Sequence, residues 1–495
     1  MSEDAVLLGS NIPKTLEEII NTMPVRAFHY RLLIISGLGF MADALEISLL
    51  SFMSVCAGID WELSSEEIAT ITSVVFIGEM AGALFWGAVA DTYGRRFAYI
   101  IASIFITVPG LLSALSPNLP TLLVFRCLVG FGVGGFSVPF DLLAEYLPAS
   151  HRGQFLVYMQ MFWTMGSLML AGIAWGSLST LGWRFLTGIT AVPVIIATIV
   201  SIYYLPESAR WHLENGRVKE AETVIREASV VNGTELPPFS LELDPAVPRI
   251  STSRDNNTLP GKSPAFGSTY GQLLTPEQRW VTVPLWVVWA VFGFTYYGVI
   301  LFVARLFSSE DDKNVDECTF DYDIIFINAS SEFFAVLFVA TVIERMGRTG
   351  SQALFYLCSG LFVALMGANI QRGGLIAIAS FARMFIFAAS SVTWIATPEM
   401  FPTRIRATAH SVSSMMARIG AICAPYLVQS HVSVSVVGGV LCLVNLMGSL
   451  ASLFLPETKG RALDEASIAR ANKQSSTDKE ELVGLLTGSR SKARL

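Results

Sequence analysis

Charged side chains are scarce in this chain of 495 residues. Only 15% of the residues are Asp, Glu, Lys or Arg, and 53% are hydrophobic, whereas a soluble protein carries about 25% charged residues. The six cysteines and five histidines lack the spacing of a metal site or of a disulfide scaffold. The net charge of −7 gives no sign of a nucleic-acid partner. We therefore exclude a soluble globular fold, and we expect no cofactor, no metal and no nucleic acid.

The hydrophobic residues are instead gathered in long runs. A bilayer core about 30 Å thick requires roughly 20 apolar residues in a helix, and twelve runs of about that length are present. They lie at residues 31–57, 67–90, 96–116, 120–143, 153–178, 183–205, 280–306, 322–343, 350–370, 374–397, 405–430 and 432–455. The chain is predicted to be an all-α membrane protein with twelve transmembrane helices in the lipid bilayer.

A polar segment divides these runs into two groups of six. The predicted organisation is an N-terminal segment, a six-helix bundle, a linker, a second six-helix bundle and a tail, at residues 1–30, 31–205, 206–279, 280–455 and 456–495. Basic loops stay on the cytosolic side of a membrane, so the termini and the linker are predicted to be cytosolic. The arginines that indicate this follow the even-numbered runs: Arg95, Arg96, Arg152, Arg345, Arg348, Arg404 and Arg406.

Three motifs recur about 250 residues apart, at equivalent places in the two groups. The pattern predicts an internal duplication in which the second bundle is a parallel copy of the first. Two such halves, related by a pseudo-two-fold axis, are an architecture of secondary transporters. The motifs are Asp91-x-x-Gly94-Arg95 with Glu344-x-x-Gly347-Arg348, Glu145-x-x-Pro148-x-x-x-Arg152 with Glu399-x-x-Pro402-x-x-x-Arg406, and Pro206-Glu207-Ser208 with Pro456-Glu457-Thr458.

These motifs resemble those of the major facilitator superfamily. The segment GAVADTYGRR at 87–96 looks like its signature loop, and Arg126-x-x-x-Gly130-x-Gly132-x-Gly134-Gly135 resembles its fourth-helix motif. The segments PESARW at 206–211 and PETKGR at 456–461 resemble the ends of the two halves of sugar porters. Residues 41–50, 72–82 and 413–425 look most like the synaptic-vesicle-protein-related (SVOP) branch. The resemblance covers about residues 25–465 and implies the major facilitator fold, active as a monomer.

Charged residues inside the runs are the main candidates for function, because burying one in a membrane costs roughly 2.5–3.5 kcal/mol on insertion scales. Acidic residues together with aromatic ones suit an organic cation, whereas arginines suit a carboxylate. The sign of the solute's charge therefore stays open. The predicted substrate cavity comprises Glu79, Trp163, Tyr296, Tyr297, Glu332, Arg383, Trp394 and Arg418.

The resemblance also implies a proton-coupling pair. In proton-coupled sugar porters an acid of the first helix faces the arginine of the fourth-helix motif, and Asp43 and Arg126 match those positions. Protonating the acid would release the arginine and couple a proton to the movement of the bundles. Glu46 lies one turn from Asp43 on the same helix face and is a second candidate acid. The alternative is a buried salt bridge that stays permanently paired.

A second set of charges lies at the predicted cytosolic ends of the helices. Acids and arginines there are expected to pair across the interface between the bundles as a cytosolic gate, each exposed pair contributing roughly 0–1 kcal/mol. The alternative is that the arginines only orient the helices. Ala340 and Glu344 replace the family's Gly and Asp, which weakens the second copy of the loop. The predicted gate comprises Asp91, Arg95, Arg96, Glu145, Arg152, Glu207, Arg210, Glu344, Arg348, Glu399, Arg406 and Glu457.

Glycines and cysteines in the runs offer two further patterns. Gly130-x-Gly132-x-x-Gly135 satisfies the dinucleotide-binding fingerprint, but it lies inside an apolar helix rather than after a strand. We interpret these glycines as sites of close helix packing. Cys56 and Cys318 both lie near the predicted non-cytosolic face. Whether they form a disulfide stays open at this point.

An acidic residue precedes a leucine pair near each end of the chain, at Leu7-Leu8 and at Leu485-Leu486. The spacing resembles the signals that vesicle-sorting adaptors bind. Together with the resemblance to the vesicle branch, it favours an endomembrane or vesicle location over the plasma membrane.

The most consistent function is a secondary active transporter that moves a small charged organic solute by alternating access, driven by protons. Symport, antiport and uniport all stay open. The alternative is a membrane receptor or vesicle trafficking protein that uses a transporter scaffold without transporting. An enzyme is not expected, because the sequence carries no nucleophile–base or metal cluster.

Overall fold

The computed structural model of the chain describes residues 15–236, 239, 241, 271–307, 318, 320–368, 370–401, 403–430 and 432–459. Within these ranges the side chains of six residues are not described, namely Ala149, Glu344, Thr403, Arg404, Arg406 and Ala407. The leucine pairs Leu7-Leu8 and Leu485-Leu486 lie outside the described residues, so the predicted sorting signals stay predictions.

The regular elements of the described residues are helices. The first half contains α1 (Leu16–Thr22), α2 (Ala27–Asp60), α3 (Ser65–Tyr93), α4 (Arg95–Ala114), α5 (Leu119–Val133), α6 (Ser137–Tyr146), α7 (Ala149–Ile189), α8 (Ala191–Tyr204), α9 (Ala209–Glu214) and α10 (Val218–Asn232). The second half contains α11 (Arg279–Leu306), α12 (Tyr322–Met366), α13 (Arg372–Glu399), α14 (Thr403–Val428) and α15 (Val434–Leu453). We call α2–α8 the N-terminal bundle and α11–α15 the C-terminal bundle.

The described helices provide the twelve predicted spans. Eleven segments are long and apolar enough to cross a membrane, and one of these, Ser150–Tyr204, is 55 residues long. Because roughly 20 residues cross a bilayer, this segment supplies two crossings. The break within it is Gly182 at φ 74°, and Gly347 at φ 79° likewise divides α12 into two spans. Two predicted loops, 179–182 and 344–349, are thus shorter than expected, because polar residues there stay helical.

The glycines of the fourth-helix motif permit close helix packing, which confirms their interpretation as packing sites. A Cβ added at Gly130 would lie 2.0 Å from the carbonyl oxygen of Val75. One added at Gly78 would lie 2.0 Å from the carbonyl oxygen of Cys127. The backbones of α3 and α5 therefore approach closer than any side chain allows. This fixes the depth of α3, which carries Glu79.

The two bundles meet mainly through α3 against α14 and α7 against α12. We call the membrane side that carries Gly94 and Gly347 the motif face, and the opposite side the disulfide face. At the disulfide face, Ser73 Oγ donates to the carbonyl oxygen of Ile422 at 3.0 Å. The disulfide that the sequence left open is present there: Cys56 of α2 is bonded to Cys318, which precedes α12, and their Cα atoms are 5.3 Å apart. A covalent bond therefore joins the two bundles at this face.

Candidate functional site

Among the described residues, three arginines are buried in the middle of the bundles, and each pairs with a glutamate. Arg126 Nη1 lies 3.0 Å from Glu46 Oε2, and Arg383 Nε lies 2.9 Å from Glu332 Oε1. The third pair joins Arg418 to Glu79. All six side chains are at most 7% exposed. Removing one partner of a buried ion pair leaves an uncompensated charge and strongly destabilises the protein. The charge of each residue in these pairs is therefore tied to that of its partner.

The partner of Arg126 is Glu46, which corrects the expected pairing with Asp43. Arg126 also donates from Nε to Ser113 Oγ at 2.9 Å, while its Nη2 has no hydrogen-bond partner among the described residues. Glu46 lies three residues beyond Asp43 along α2, about 4.5 Å closer to the disulfide face at 1.5 Å per residue. Arg126 lies in the disulfide-face half of its span, so the deeper and longer glutamate reaches it.

Asp43 instead belongs to a cluster at the interface between the bundles. It interacts electrostatically with Glu79 of α3 and Arg418 of α14, and also with Glu46. Its side chain is 4% exposed, and among the described residues its Oδ1 accepts no hydrogen bond. Glu79 Oε2 and Arg418 Nε also lack partners there. The cluster thus holds two carboxylates, one guanidinium group and unsatisfied polar atoms, across the surface along which the bundles would move.

Aromatic side chains connect this cluster to the Glu332–Arg383 ion pair. Tyr296 OH donates to Glu332 Oε1 at 3.0 Å, and Trp163 Nε1 of the N-terminal bundle donates to Tyr296 OH at 2.6 Å. The ring of the adjacent Tyr297 lies 4.6 Å from that of Phe76. Seven of the predicted cavity residues therefore converge at the interface, namely Glu79, Trp163, Tyr296, Tyr297, Glu332, Arg383 and Arg418.

Trp394 lies in an aromatic cluster nearer the motif face, and Phe40 connects this cluster to Trp163. Its ring centroid lies 5.0 Å from Trp289, 5.4 Å from Phe140 and 5.0 Å from His410. The spacing of the histidines excludes a metal site at His410. Its position within the apolar run at 405–430 is the sequence signal for a buried ionisable group.

A cleft lies between the bundles on the disulfide-face side of the buried pairs. The cleft is small, and Arg383 reaches its wall. Ser48 and Ser167 hydrogen-bond to each other at 3.2 Å within its lining. The cleft therefore lies beside the Glu332–Arg383 pair.

The motif-face charges are organised around two glutamates that cap helices. Glu207 accepts from the backbone N–H groups of Arg95 at 2.7 Å and Arg96 at 3.2 Å, at the start of α4. Glu457 accepts from Arg348 at 2.9 Å and Thr349 at 3.1 Å, at the equivalent place in α12. A carboxylate is stabilised at a helix N-terminus by unpaired N–H groups and by the helix dipole.

Each capping glutamate requires the glycine of the repeated loop. Gly94 and Gly347 have φ values of 107° and 79°, and a Cβ at either would lie 2.3 Å from the capping carboxylate. Burial alone would raise the pKa of Glu457, but hydrogen bonds donated by four backbone N–H groups hold this pKa below its usual value. The glutamate therefore stays ionised, and the cap stays intact, well into the acidic range.

The described gate pairs lie within one bundle, which corrects the expectation that they cross the interface. Arg95 lies 3.3 Å from Asp91 and 3.6 Å from Glu145, and Arg348 lies 3.0 Å from Glu399. The capping geometry explains this, because it draws each arginine to the start of its own helix. Arg152 is the exception, because it interacts electrostatically with Glu399 of the other bundle and with Arg210.

The other predicted gate residues have different contacts. Arg96 Nη2 donates to the carbonyl oxygen of Ile202 at 2.5 Å, again within the N-terminal bundle. Ser208 Oγ donates to Glu145, and Thr458 Oγ1 donates to Glu399 at 2.6 Å in the second copy. The side chains of Glu344 and Arg406 lie outside the described residues.

Comparisons with known proteins agree with this architecture. A family model described as sugar (and other) transporter matches residues 26–469. The synaptic vesicle 2-related protein of Rattus norvegicus is 33% identical over 475 residues, which cover 91% of this chain and 82% of the relative. Organic cation/carnitine transporter 7 of Arabidopsis thaliana is 32% identical over 497 residues, which cover 93% of this chain and 98% of the relative.

The fold is also similar to that of a solved transporter structure. The proton:xylose symporter XylE, bound to 6-bromo-6-deoxy-D-glucose, superposes with a TM-score of 0.66. The likeness covers 89% of this chain and 99% of that one, at 18% sequence identity. At this identity the likeness shows the fold alone, and it confirms the predicted arrangement of two six-helix bundles.

Proposed function

Because the chain belongs to the sugar (and other) transporter family of the major facilitator superfamily, we propose that it exchanges a small organic cation for protons by alternating access. Membership of the family makes the chain a multi-pass membrane transporter, and its relatives place it on the synaptic-vesicle-related branch. The nature of the solute and the use of protons are our proposals. They rest on the charges between the bundles.

The observation that carries the proposal is an excess carboxylate. Among the described residues buried in the middle of the bundles, four carboxylates face three guanidinium groups. Each arginine is paired with a glutamate, which leaves Asp43. An unpaired buried carboxylate is costly, and a positive occupant relieves that cost. The occupant is either a proton or the positive group of the solute.

The surroundings of Asp43 support a cationic solute. The rings of Phe76 and Tyr297 are tilted against each other, and Tyr297 interacts electrostatically with the cluster. Aromatic ring faces attract ammonium groups most strongly where water is excluded. The relative named organic cation/carnitine transporter covers almost the whole chain, which agrees with this chemistry. A carboxylate solute would need a free arginine, and each of the three buried arginines already has an acid partner.

One carboxylate that accepts either a proton or an organic cation favours exchange. When Asp43 is protonated the solute loses its counter-ion, and when the solute binds the proton must have left. The Glu46–Arg126 pair is the second place where a proton could act, because protonation of Glu46 would release Arg126. Competition at Asp43 gives antiport, whereas simultaneous binding at the two acids would give symport.

We place the exchanger in a vesicle membrane with the motif face toward the cytosol. The arginines of the even-numbered connections support this orientation, and the synaptic-vesicle-related relatives support the location. In an acidic vesicle, protons that leave the lumen would drive organic cations from the cytosol into the lumen. The charge arrangement and the proposed location are thus consistent.

Uptake into proteoliposomes tests the proposed solute class. Quaternary ammonium ions of graded size are compared with isosteres in which carbon replaces nitrogen, and with carboxylates of the same size. We expect uptake of cations at least about tenfold faster than that of their neutral isosteres, since each lost charge contact costs about 1.4 kcal/mol or more. Preferred uptake of sugars or carboxylates would contradict the proposal. Ligand binding without uptake of any solute would favour the receptor alternative.

A further inference from the structure

An ionisable pair outside the predicted site joins the two bundles near the motif face. His410 of α14 lies in the C-terminal bundle, and Asp141 of α6 lies in the N-terminal bundle. His410 Nδ1 is 3.4 Å from Asp141 Oδ1. The other motif-face pairs with given distances, those of Arg95 and Arg348, lie within one bundle. His410 and Asp141 are therefore placed to respond to the separation of the bundles.

The imidazole of His410 is enclosed, yet its nitrogens are unsatisfied. The side chain is 2% exposed, and among the described residues neither ring nitrogen makes a hydrogen bond. Burying a polar group without a hydrogen bond is costly, and the polar group that faces Nδ1 of His410 is the carboxylate of Asp141. An imidazolium, in contrast, pairs directly with the carboxylate of Asp141.

Three aromatic rings surround the imidazole of His410. The ring centroids of Trp394, Trp289 and Phe140 lie 5.0, 5.8 and 6.1 Å from that of His410. Aromatic rings within about 6 Å attract a cation, tryptophan most strongly. Trp289 Nε1 donates to Thr397 Oγ1 at 2.9 Å rather than to the histidine, so no donor of this cage opposes a proton on His410.

We propose that His410 and Asp141 form a second proton-binding site, which holds the bundles together at the motif face when protonated and releases them when deprotonated. This proton is distinct from the one that competes with the solute at Asp43. The inference deepens the proposed exchange, because it says which face of the transporter the proton controls. It concerns the movement of the bundles and stands whichever solute is carried.

The charged group paired with His410 is Asp141. Asp141 faces it from α6, whereas α11 and α13 present Trp289, Trp394 and Thr397, and α2 contributes Phe40 beside Trp394. None of these four side chains titrates. Beyond Asp141, both Asp91 and Arg95 interact with it electrostatically, and their opposite charges pair with each other. The proton on His410 therefore acts mainly through Asp141.

Asp141 also gives the site access to water. Its side chain is 34% exposed, although His410 is enclosed. A proton can thus pass between the aqueous phase at the motif face and His410 through the carboxylate. Low pH at that face closes the interface there, and high pH opens it.

Distance measurements between spin labels test the site without any transport assay. The labels are attached through Thr92→Cys and Arg345→Cys, two exposed motif-face positions in different bundles. The free cysteines Cys127, Cys358, Cys423 and Cys442 are replaced by alanine, and the protein is held in lipid nanodiscs. Between about pH 5.5 and 8 we expect the ratio of short to long distances to fall at least about fivefold, a typical coupling.

Substitutions then assign this response to the pair. His410→Gln and Asp141→Asn are each expected to abolish the pH response, whereas His151→Gln, an exposed histidine at the same face, should leave it unchanged. Asp141→Asn changes a partly exposed side chain, so it tests the pair even if the His410 variant does not fold. An unchanged response in either variant, or no response in the parent, would overturn the inference. Neither result depends on solute uptake, so each is separable from failure of the proposed function.

Discussion

The Asp43→Asn variant is expected to lose the transport of organic cations while remaining folded. Asparagine has the size of aspartate but carries no charge, so it can bind neither the solute's positive group nor a proton. Loss of one partner from a buried charge pair costs roughly 2–5 kcal/mol, and a decrease in kcat/KM of about 30-fold or more follows. Initial uptake rates in proteoliposomes, measured at several pH values, give this quantity.

The thermal stability of the same variant distinguishes a functional acid from a structural one. Asp43 accepts no hydrogen bond at Oδ1 among the described residues, so its neutralisation removes an unpaired buried charge. We expect a Tm no lower than that of the parent protein. Glu46→Gln is the matched control one turn away, and it should lower the Tm because it deprives the buried Arg126 of its partner. Asp43→Asn with the parent's uptake and pH dependence would show that solute and proton bind elsewhere.

Arg418→Gln is expected to destabilise the protein more than any other single substitution proposed here. It would leave Glu79 and Asp43 as two buried carboxylates without a positive partner. Breaking a buried ion pair from one side costs roughly 3–5 kcal/mol, and repulsion between the carboxylates adds to this. Thermal unfolding in detergent micelles, followed by circular dichroism, should show a large fall in Tm and a low yield of monodisperse protein.

A double variant and a surface variant serve as controls for the Arg418→Gln result. Adding Glu79→Gln to Arg418→Gln removes one of the two orphaned charges and their mutual repulsion, and it should restore part of the Tm. Arg372→Gln breaks an exposed pair with Asp321, which is expected to contribute about 0–1 kcal/mol. The account of the cluster fails if Arg418→Gln is as mild as Arg372→Gln, or if the double variant is no more stable than Arg418→Gln alone.

The duplication of the chain explains why one acid is in excess. Glu79 and Glu332 lie about 250 residues apart, the spacing of the repeated motifs, and both are fully buried. In the first half the acid pairs with an arginine of the other bundle, whereas in the second it pairs within its own bundle. Asp43 has no acidic counterpart at the matching spacing, where Tyr296 stands. The surplus charge is therefore a departure from the repeat.

The spans and the repeat were predictable, because each depends on a property of a continuous segment. A run of apolar residues is sufficient to indicate a crossing, and motif pairs at one spacing are sufficient to indicate two copies. The ends of helices were less predictable. At 179–182 and 344–349 polar residues suggested loops, but a single glycine with positive φ makes each break.

The pairing of buried charges could not be predicted, because it depends on helix rotation and depth. Asp43 and Glu46 lie on one face, so periodicity alone does not choose which of them reaches Arg126. The choice depends on the position of each acid along the helix, which differs by about one turn, and on the additional methylene group of glutamate. The same limit applies to His410 and Asp141, which are far apart in sequence and meet only where the bundles pack.

The most direct test of the account is a measurement of proton movement driven by a solute gradient. Purified protein is placed in liposomes that contain a pH-sensitive dye, and an organic cation identified in the uptake panel is added outside. Because one carboxylate binds either occupant, we predict that the lumen becomes alkaline, with about one proton leaving for each monovalent cation that enters. The change should be insensitive to membrane potential and absent in Asp43→Asn. Uptake without a change in internal pH, or with acidification of the lumen, would contradict exchange at Asp43.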